Sequence, residues 1–424
     1  MKNKLKIGII GLGTVGCGVV KVLSRFDDIE IVSAAVKNLT KKRDVEVQTI
    51  TNNPMDIVTN PEIDVVVEVA GGCEILEALK VAVQNKKHIV TANKELLARH
   101  GAELFDLARE NQVAILYEAA VAGGIPIILP IKTSLAANKF SFVAGILNGT
   151  TNYILTKMEQ ENLSYEDCLA KAQKLGYAET DPTGDVEGFD AMYKIAILAN
   201  IVFGKRIDVN KIYREGITHI TSNDIKLADE LGYKIKLIAQ ASELESGELD
   251  IRVHPMLISK ENTISDVNNA TNAVMLKGFP VDKVLFVGPG AGEFPTASSV
   301  VGDILSIKSE FDKTGEILPM TTCHHSVYAN QIEIEKTQNC YYLSIVAGNN
   351  LGTIGKIGSA CAEFGINLSS IIQKGINEDN KASIIVITEK SSEADMNKMV
   401  EKLENENDIK VINKIRVMQW NTMV

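Results

Sequence analysis

Apolar positions fall in two rhythms along this chain. A short, mostly apolar run over residues 5–10 breaks into Gly11-Leu12-Gly13-Thr14-Val15-Gly16 and resumes at helical spacing through Val19, Val20 and Leu23, which reads as strand, turn and helix. Short apolar runs at 29–36, 64–70, 88–92 and 113–117 follow, with a helical stretch over 74–84. Such alternation predicts an α/β fold with a parallel sheet. Residues 138–145, 251–258 and 284–288 read as strands of a second, α+β unit, and 296–308 as a helix returning to pack on the first. From Tyr341 the rhythm changes to strand 341–347, helix 352–364, strands 367–373 and 382–388, helix 393–403 and strand 410–418. That βαββαβ order predicts a ferredoxin-like module.

The glycine turn carries chemistry. G-x-G-x-x-G between a strand and a helix turns the chain tightly, admits a pyrophosphate to the backbone and packs the helix close to the strand, the Rossmann-type arrangement. The helix N-terminus then offers free N–H groups and a positive dipole to the phosphates, so Gly11, Gly13, Thr14, Val15 and Gly16 form the expected cofactor cradle. At the end of the second strand, where an acid would hold the ribose hydroxyls of NAD, stands Val36-Lys37-Asn38. The missing acid and the cations Lys37, Lys41, Lys42 and Arg43 favour the 2′-phosphate of NADP over NAD; the other reading of this charge run is a solvated face. The later strand ends, Ala70-Gly71-Gly72 and Thr91-Ala92-Asn93-Lys94, open onto the ligand crevice. Lys94 is thus a candidate contact for nicotinamide or substrate, against a plain surface lysine at a helix start.

Composition narrows the classes. The 424 residues suggest roughly three domains of about 100 to 200 residues, and 45% hydrophobic with 23% charged residues is ordinary for a soluble enzyme. A net charge of −10 disfavours nucleic acid and anionic membrane as partners. No apolar run approaches the roughly 18 residues of a membrane helix. The six cysteines are scattered without a C-x-x-C pair, and the N-terminus runs directly into a strand, so a reducing cytoplasm is expected.

The segment AETDPTGDVEGFDAMYK from Ala178 to Lys194 concentrates ionisable groups ahead of an apolar helical run. Asp190 and Lys194, four apart, share a helix face. Glu179 and Asp185 sit in the preceding Pro182 and Gly184 loop, which can aim further carboxylates at the same place. A buried lysine beside carboxylates is a plausible proton donor; the alternative is a capped surface helix with an ion pair. The bend from Tyr117 to Pro126 can turn carbonyls toward a hard cation, which chooses oxygen ligands, or can be a plain glycine turn. Cys323-His324-His325 lacks a further spaced ligand set and reads as linker.

In this order from Gly11 to Leu305, GLGTVG, TANKELLA, YEAAVAGGIPI, GILNGTTNYIL, AETDPTGDVEGFD and GPGAGEFPTASSVVGDIL resemble homoserine dehydrogenase. The resemblance implies reversible NAD(P)H-dependent reduction of L-aspartate 4-semialdehyde to L-homoserine, in threonine, methionine and isoleucine biosynthesis. It implies Lys194 as proton donor with Asp190 as its partner, Glu179 as holder of the substrate ammonium and Asp185 as a second acidic wall. It further implies that Gly176, Lys94 and Gly292 touch the cofactor. The bend resembles a monovalent-cation site, for Na+ or a similar ion, with Glu118 and the carbonyls of Val121, Gly123 and Ile125 as ligands. Where the family shows EPDP, this chain has Glu179-Thr180-Asp181-Pro182.

Gly352, the Gly365-Ile366-Asn367 bend and SSIIQKG from Ser369 resemble an ACT domain, which implies an amino-acid effector, threonine by analogy. Its first loop, Gly348 to Gly352, departs from the usual acidic and proline residues. The expected division is a dinucleotide-binding domain (1–130 plus 296–316), a substrate and dimerisation domain (131–295), a linker (317–339) and an ACT-like regulatory domain (340–424), assembled as a homodimer or homotetramer.

Overall fold

The computed structural model describes residues 4–314, 323, 325–376 and 379–419. Strands β1 (Leu5–Ile10), β2 (Ile29–Ala35), β3 (Ile50–Thr51), β4 (Val65–Glu68), β5 (His88–Thr91) and β6 (Ile115–Leu116) form one sheet in the order β3-β2-β1-β4-β5-β6. Every neighbouring pair is parallel. The central strands β1, β4 and β5 are rich in buried Ile and Val because both faces are covered. The order reverses between β1 and β4, so the turns leaving these two strands open side by side at the carboxyl edge.

Glycine is required there on steric grounds. Gly11 has φ +103°, and a Cβ on it would lie 2.7 Å from the Ala70 nitrogen; one on Gly16 would lie 2.0 Å from the Gly11 carbonyl. Substituting either pushes the two turns apart or lifts the helix Thr14–Leu23 off its strand. The neighbouring strand ends are tied by Glu68. Its buried carboxylate accepts from Thr91 Oγ1 at 2.6 Å, from the Ala70 N–H at 2.9 Å and from the Gly71 N–H at 3.0 Å. Burial holds that carboxyl above its ordinary range despite these donors. The long helix Glu293–Thr314 packs Ala297, Val300, Val301, Ile304 and Ile307 into one core with Ile7, Val19 and Leu23.

The second sheet is built from β7 (Lys139–Ile146), β8 (Tyr213–Arg214), β9 (Tyr233–Glu243), β10 (Leu249–Ser259), β11 (Thr271–Phe279), β12 (Asp282–Pro289), β13 (Gln338–Gly348), β14 (Leu368–Ile376), β15 (Lys381–Thr388), β16 (Ser391–Ser392) and β17 (Ile409–Val417). Its order is β12-β11-β7-β9-β10-β17-β13-β15-β14, with β8 on β10 and β16 on β13. Strands β9 and β11 go beyond the sequence expectation. In β9 the buried Lys236 interrupts an otherwise strand-like run; its ammonium is satisfied by the Val267 carbonyl (2.8 Å), Asn152 Oδ1 (3.0 Å) and Asn268 Oδ1 (3.1 Å). Burial lowers that lysine's pKa to about 8.

The C-terminal strands and the helices Thr353–Glu363 and Glu393–Glu404 follow the βαββαβ order, with the antiparallel arrangement β17-β13-β15-β14. They are not a detached module. Met256 and Leu257 of β10 pair in parallel with Arg416 and Val417 of β17, so the strands of the middle unit and those of the C-terminal unit run on as one sheet, and each set covers an edge of the other. The linker expected at 317–339 lies partly outside the described residues, as does His324. Its later part is pinned: Arg206 N–H donates to the Val327 carbonyl at 2.7 Å, and Leu249 N–H to that of Asn330 at 2.8 Å.

Candidate active site

The helix Phe189–Phe203 starts after Gly188, which adopts φ +81°. Its residues 191–199 are all buried, because it lies between the second sheet and the helix Lys94–Asn111, sharing a core with Val143, Val253 and Val274. Lys194 is carried inside by this packing. Its Nζ donates to the Leu147 carbonyl at 2.8 Å and to Asp190 Oδ2 at 2.7 Å. The i,i+4 pair read from the sequence is therefore a buried one.

Two further elements converge on Asp190. Lys94, at the first position of the helix Lys94–Asn111, places its Nζ 3.0 Å from Asp190 Oδ1. Asn148 Nδ2 donates to Asp190 Oδ2 at 2.9 Å and to Asp185 Oδ1 at 2.6 Å. Asn148 was quoted in the motif GILNGTTNYIL but given no role by sequence reasoning. It is the N-cap of the helix Gly149–Glu161, its Oδ1 accepting from the Thr151 N–H at 2.8 Å; the available signal was an asparagine directly ahead of a helical run. The two lysine-bearing helices are locked together by Tyr193, which accepts from Arg99 Nη2 at 2.6 Å and donates to Glu95 Oε1 at 3.1 Å.

The electrostatics follow from this geometry. Burial pushes the Asp190 carboxyl up, but the ammoniums of Lys194 and Lys94 outweigh it and hold the group well below the usual carboxylate range. Asp190 reciprocally raises Lys94 above its ordinary value against the cost of burial. Asp185 is raised, first by burial and then by the charge of Asp190. The cluster thus holds two cations around one firmly ionised carboxylate, with a second carboxylate more easily protonated.

The other expected site residues take no part in this hydrogen-bonded cluster. Glu179 is exposed; its backbone carbonyl accepts from Gln173 Nε2 at 3.1 Å, and its carboxylate has no partner among the described residues. Gly176 (φ +77°) follows the helix Tyr165–Lys174, and Gly292 (φ +122°) precedes the helix Glu293–Thr314. In the glycine turn, Thr14 is exposed, Val15 half-buried, and a Cβ on Gly13 would meet nothing within 4 Å. That open side, backed by a helix N-terminus, fits a pyrophosphate. Lys37 pairs with Glu74 Oε1 at 2.8 Å, both side chains largely exposed, while Arg43 donates from Nε to the Leu12 carbonyl of the turn at 3.2 Å.

Glu118 has a structural task that the sequence did not disclose. Its buried carboxylate accepts from the N–H groups of Ile127 (2.5 Å), Ile128 (2.7 Å) and Leu129 (2.7 Å), capping the short helix Ile128–Lys132. The Gly123 carbonyl accepts from Ser299 Oγ at 2.7 Å. A carboxylate has about four acceptor positions, so one stays available to a cation, and the Gly123 carbonyl keeps a lone pair.

Among the described residues no helix is long and apolar enough to cross a membrane. The model of the homoserine dehydrogenase NAD-binding domain matches residues 11–118, and that of homoserine dehydrogenase matches 126–305. A homoserine dehydrogenase of Pseudomonas aeruginosa is 42% identical over 98% of this chain and 99% of its own. The crystal structure of a homoserine dehydrogenase from Thiobacillus denitrificans superposes with a TM-score of 0.92 at 38% identity, covering 98% of this chain and 99% of that one. A hyperthermophilic archaeal homoserine dehydrogenase in complex with NADPH gives 0.63 at 28% identity, over 73% of this chain and 98% of that one. With its parallel nucleotide-binding sheet, glycine cradle and matching length, the chain belongs to the homoserine dehydrogenase family of NAD(P)-dependent oxidoreductases.

Proposed function

We propose that the chain reversibly reduces L-aspartate 4-semialdehyde to L-homoserine, with Lys194 as proton donor. The observation that carries this reading is the Lys94–Asp190–Lys194 bridge, largely buried at Asp190 and Lys194 and open to solvent at Lys94, which spans from the end of β5 to the helix of the second unit. An ammonium has three N–H donors; Lys194 spends one on Leu147 and one on Asp190, leaving the third for a substrate oxygen. NADPH, when bound, supplies the hydride. Negative charge then develops on the aldehyde oxygen, and a preorganised ammonium stabilises it and delivers the proton. Asp190 and the Leu147 carbonyl hold that ammonium in place. Asp185, steadied by Asn148, and Glu179 form the acidic side that receives the substrate ammonium.

Removing one of these carboxylates weakens ground and transition state alike. Glu179→Gln is therefore expected to raise KM for homoserine with kcat close to wild type, by steady-state assay. Unchanged KM with lost NADPH binding would move Glu179 to the cofactor.

For the cofactor, Lys37 and Arg43 near the glycine turn support NADP over NAD. An exposed ion pair such as Lys37–Glu74 is screened by water and holds weakly, so a phosphate can replace Glu74. Lys37→Ala is expected to narrow the NADPH–NADH gap by about 1 to 3 kcal/mol, measured by fluorescence titration of both cofactors. An unaltered ratio would make Lys37 a solvated charge only.

The same reading gives the chain a place in threonine, methionine and isoleucine biosynthesis in the cytoplasm, as a homodimer or homotetramer. It takes 1–130 plus 296–316 as the dinucleotide-binding domain, 131–295 as the substrate domain and 340–424 as an ACT-like domain answering to threonine. Glu118 with the Val121, Gly123 and Ile125 carbonyls would hold Na+ and stiffen the bend. The deciding experiment follows NADPH and NADH oxidation with aspartate semialdehyde, with and without threonine and Na+. No oxidation with either cofactor would overturn the assignment.

A further inference from the structure

A second buried charge cluster runs from the C-terminal strands to the segment that follows the short helix Thr183–Val186, which carries Asp185. Arg416 on β17 is 1% exposed. Its Nε and Nη2 fork onto Glu393 at 2.9 and 2.7 Å, and its Nη1 lies 2.9 Å from Glu215 Oε2. Glu393 also takes Tyr341 Oη at 2.7 Å and Lys414 Nζ at 2.5 Å. Glu215, just after β8, takes Tyr213 Oη at 2.9 Å and pairs with His219 Nε2 at 3.1 Å; its own N–H donates to the Val253 carbonyl on β10 at 2.8 Å. One guanidinium therefore joins a carboxylate of the C-terminal unit to a carboxylate of the segment 213–219. A planar fork with fixed donors makes such a joint directional.

The opposite side of segment 213–219 lies against the loop that leads into the helix of Asp190. The Ile217 N–H donates to the Val186 carbonyl at 2.9 Å, Arg214 Nη1 to the Glu187 carbonyl, and Thr218 Oγ1 to Glu187 Oε1 at 3.1 Å. The Arg214 guanidinium stacks 3.6 Å from the Phe189 ring centroid. There is no slack at this contact, since a Cβ on Gly216 would lie 2.4 Å from the Val186 carbonyl. Residues 186–189 are all that separates Asp185 from Asp190 in the chain.

We propose that Arg416 and Glu215 are positioning residues for the reaction, through which the C-terminal unit sets the place of the 186–189 loop and with it Asp185 and Asp190. The inference rests on the reading of Asp190 and Lys194 as the reacting site. A displacement of about 1 Å of positioned groups can cost about 10²-fold in rate, so small movements of β17 at this joint have kinetic weight.

The test uses the full chain. Glu215→Gln keeps the shape and removes the charge facing Arg416. It is expected to lower kcat for homoserine oxidation about ten-fold, a fraction of that limit, with NADP affinity unchanged. Amide exchange of peptides covering 183–192 should quicken while peptides from β1 keep wild-type exchange. Leu403→Ala opens the core of the C-terminal unit away from Glu393, Arg416 and Glu215, so it should lower Tm and leave kcat at the wild-type value. If Glu215→Gln retains both kcat and the exchange of 183–192, or if Leu403→Ala lowers kcat in step with Tm, the proposal is overturned. Should Glu215→Gln fail to fold, Tyr213→Phe removes one hydrogen bond and no charge. It should move kcat and the exchange of 183–192 in the same direction as Glu215→Gln and by a smaller factor, since it removes one donor to the Glu215 carboxylate and leaves the charge in place; no change overturns the proposal. A wild-type chain inactive on homoserine defeats the functional reading instead, and the exchange measurement still decides whether this joint holds the loop.

Discussion

Replacing Lys194 by alanine lowers kcat by about 10²- to 10⁴-fold, the usual worth of a positioned general acid, and leaves NADPH affinity at its wild-type value. The split follows from where the ammonium sits. Its contacts are to Asp190 and the Leu147 carbonyl, on the second unit, while the glycine turn stands at the end of β1. Loss of the lysine removes charge and proton at the moment the aldehyde oxygen becomes negative, and removes little that holds the cofactor. Single-turnover measurement of hydride transfer, with parallel NADPH titration, separates the two. A near-normal rate in the variant would exclude Lys194 as the donor.

The parts of the fold that sequence disclosed are those whose constraints are local. Gly11 and Gly16 stand where a Cβ would strike backbone within 3 Å, and such demands leave a spacing that can be read directly. The alternation of β1, β2, β4, β5 and β6 with helices was legible for the same reason, as was the βαββαβ order at the C-terminus, whereas the two-residue β3 was not. Strands β9 and β11 were not, because Lys236 and Asn272 lie buried inside them and look like solvent positions to a hydrophobicity reading. The joining of β10 to β17 brings Met256 to Arg416. No local pattern encodes a pairing at that separation.

The site divides along the same line. Asp190 and Lys194 are one helical turn apart, so their pairing was readable from spacing. Asn148 and the Leu147 carbonyl reach the same point from another strand end, and only the fold brings them there. Lys94 was placed at the crevice by the strand-end rule, but its partner Asp190 is on a different unit. Glu118 shows the converse difficulty: the family resemblance implies a cation ligand there, and its neighbours in space are three amide N–H groups of a helix start. Lys37 was legible as a cation at the ribose end, whereas its pairing with Glu74 depended on how the next helix approaches.

Asp190→Asn is expected to reduce kcat by about 10²-fold, because a neutral amide leaves two ammoniums without their shared anion, and breaking a buried ion pair on one side typically costs about 3 to 5 kcal/mol. Its stability signature depends on pH in a definite sense. The folded-state carboxyl is held far below its ordinary value by Lys194 and Lys94, against the cost of burial. A depressed folded pKa contributes stability that is present above the unfolded value of about 4 and is lost as pH falls toward the folded one. The wild type should therefore exceed Asp190→Asn in Tm at neutral pH, with the gap narrowing as acid is added below about pH 4. Lys94, raised mainly by the same carboxylate, behaves in the opposite sense: its contribution is present below its unfolded value of about 10.4 and is lost as pH rises through the higher folded one. Calorimetric scans of wild type and variant from acid to neutral pH measure this gap. A gap that stays constant across that range would mean that Asp190 is not held ionised by the two lysines, and would remove the electrostatic basis for the site.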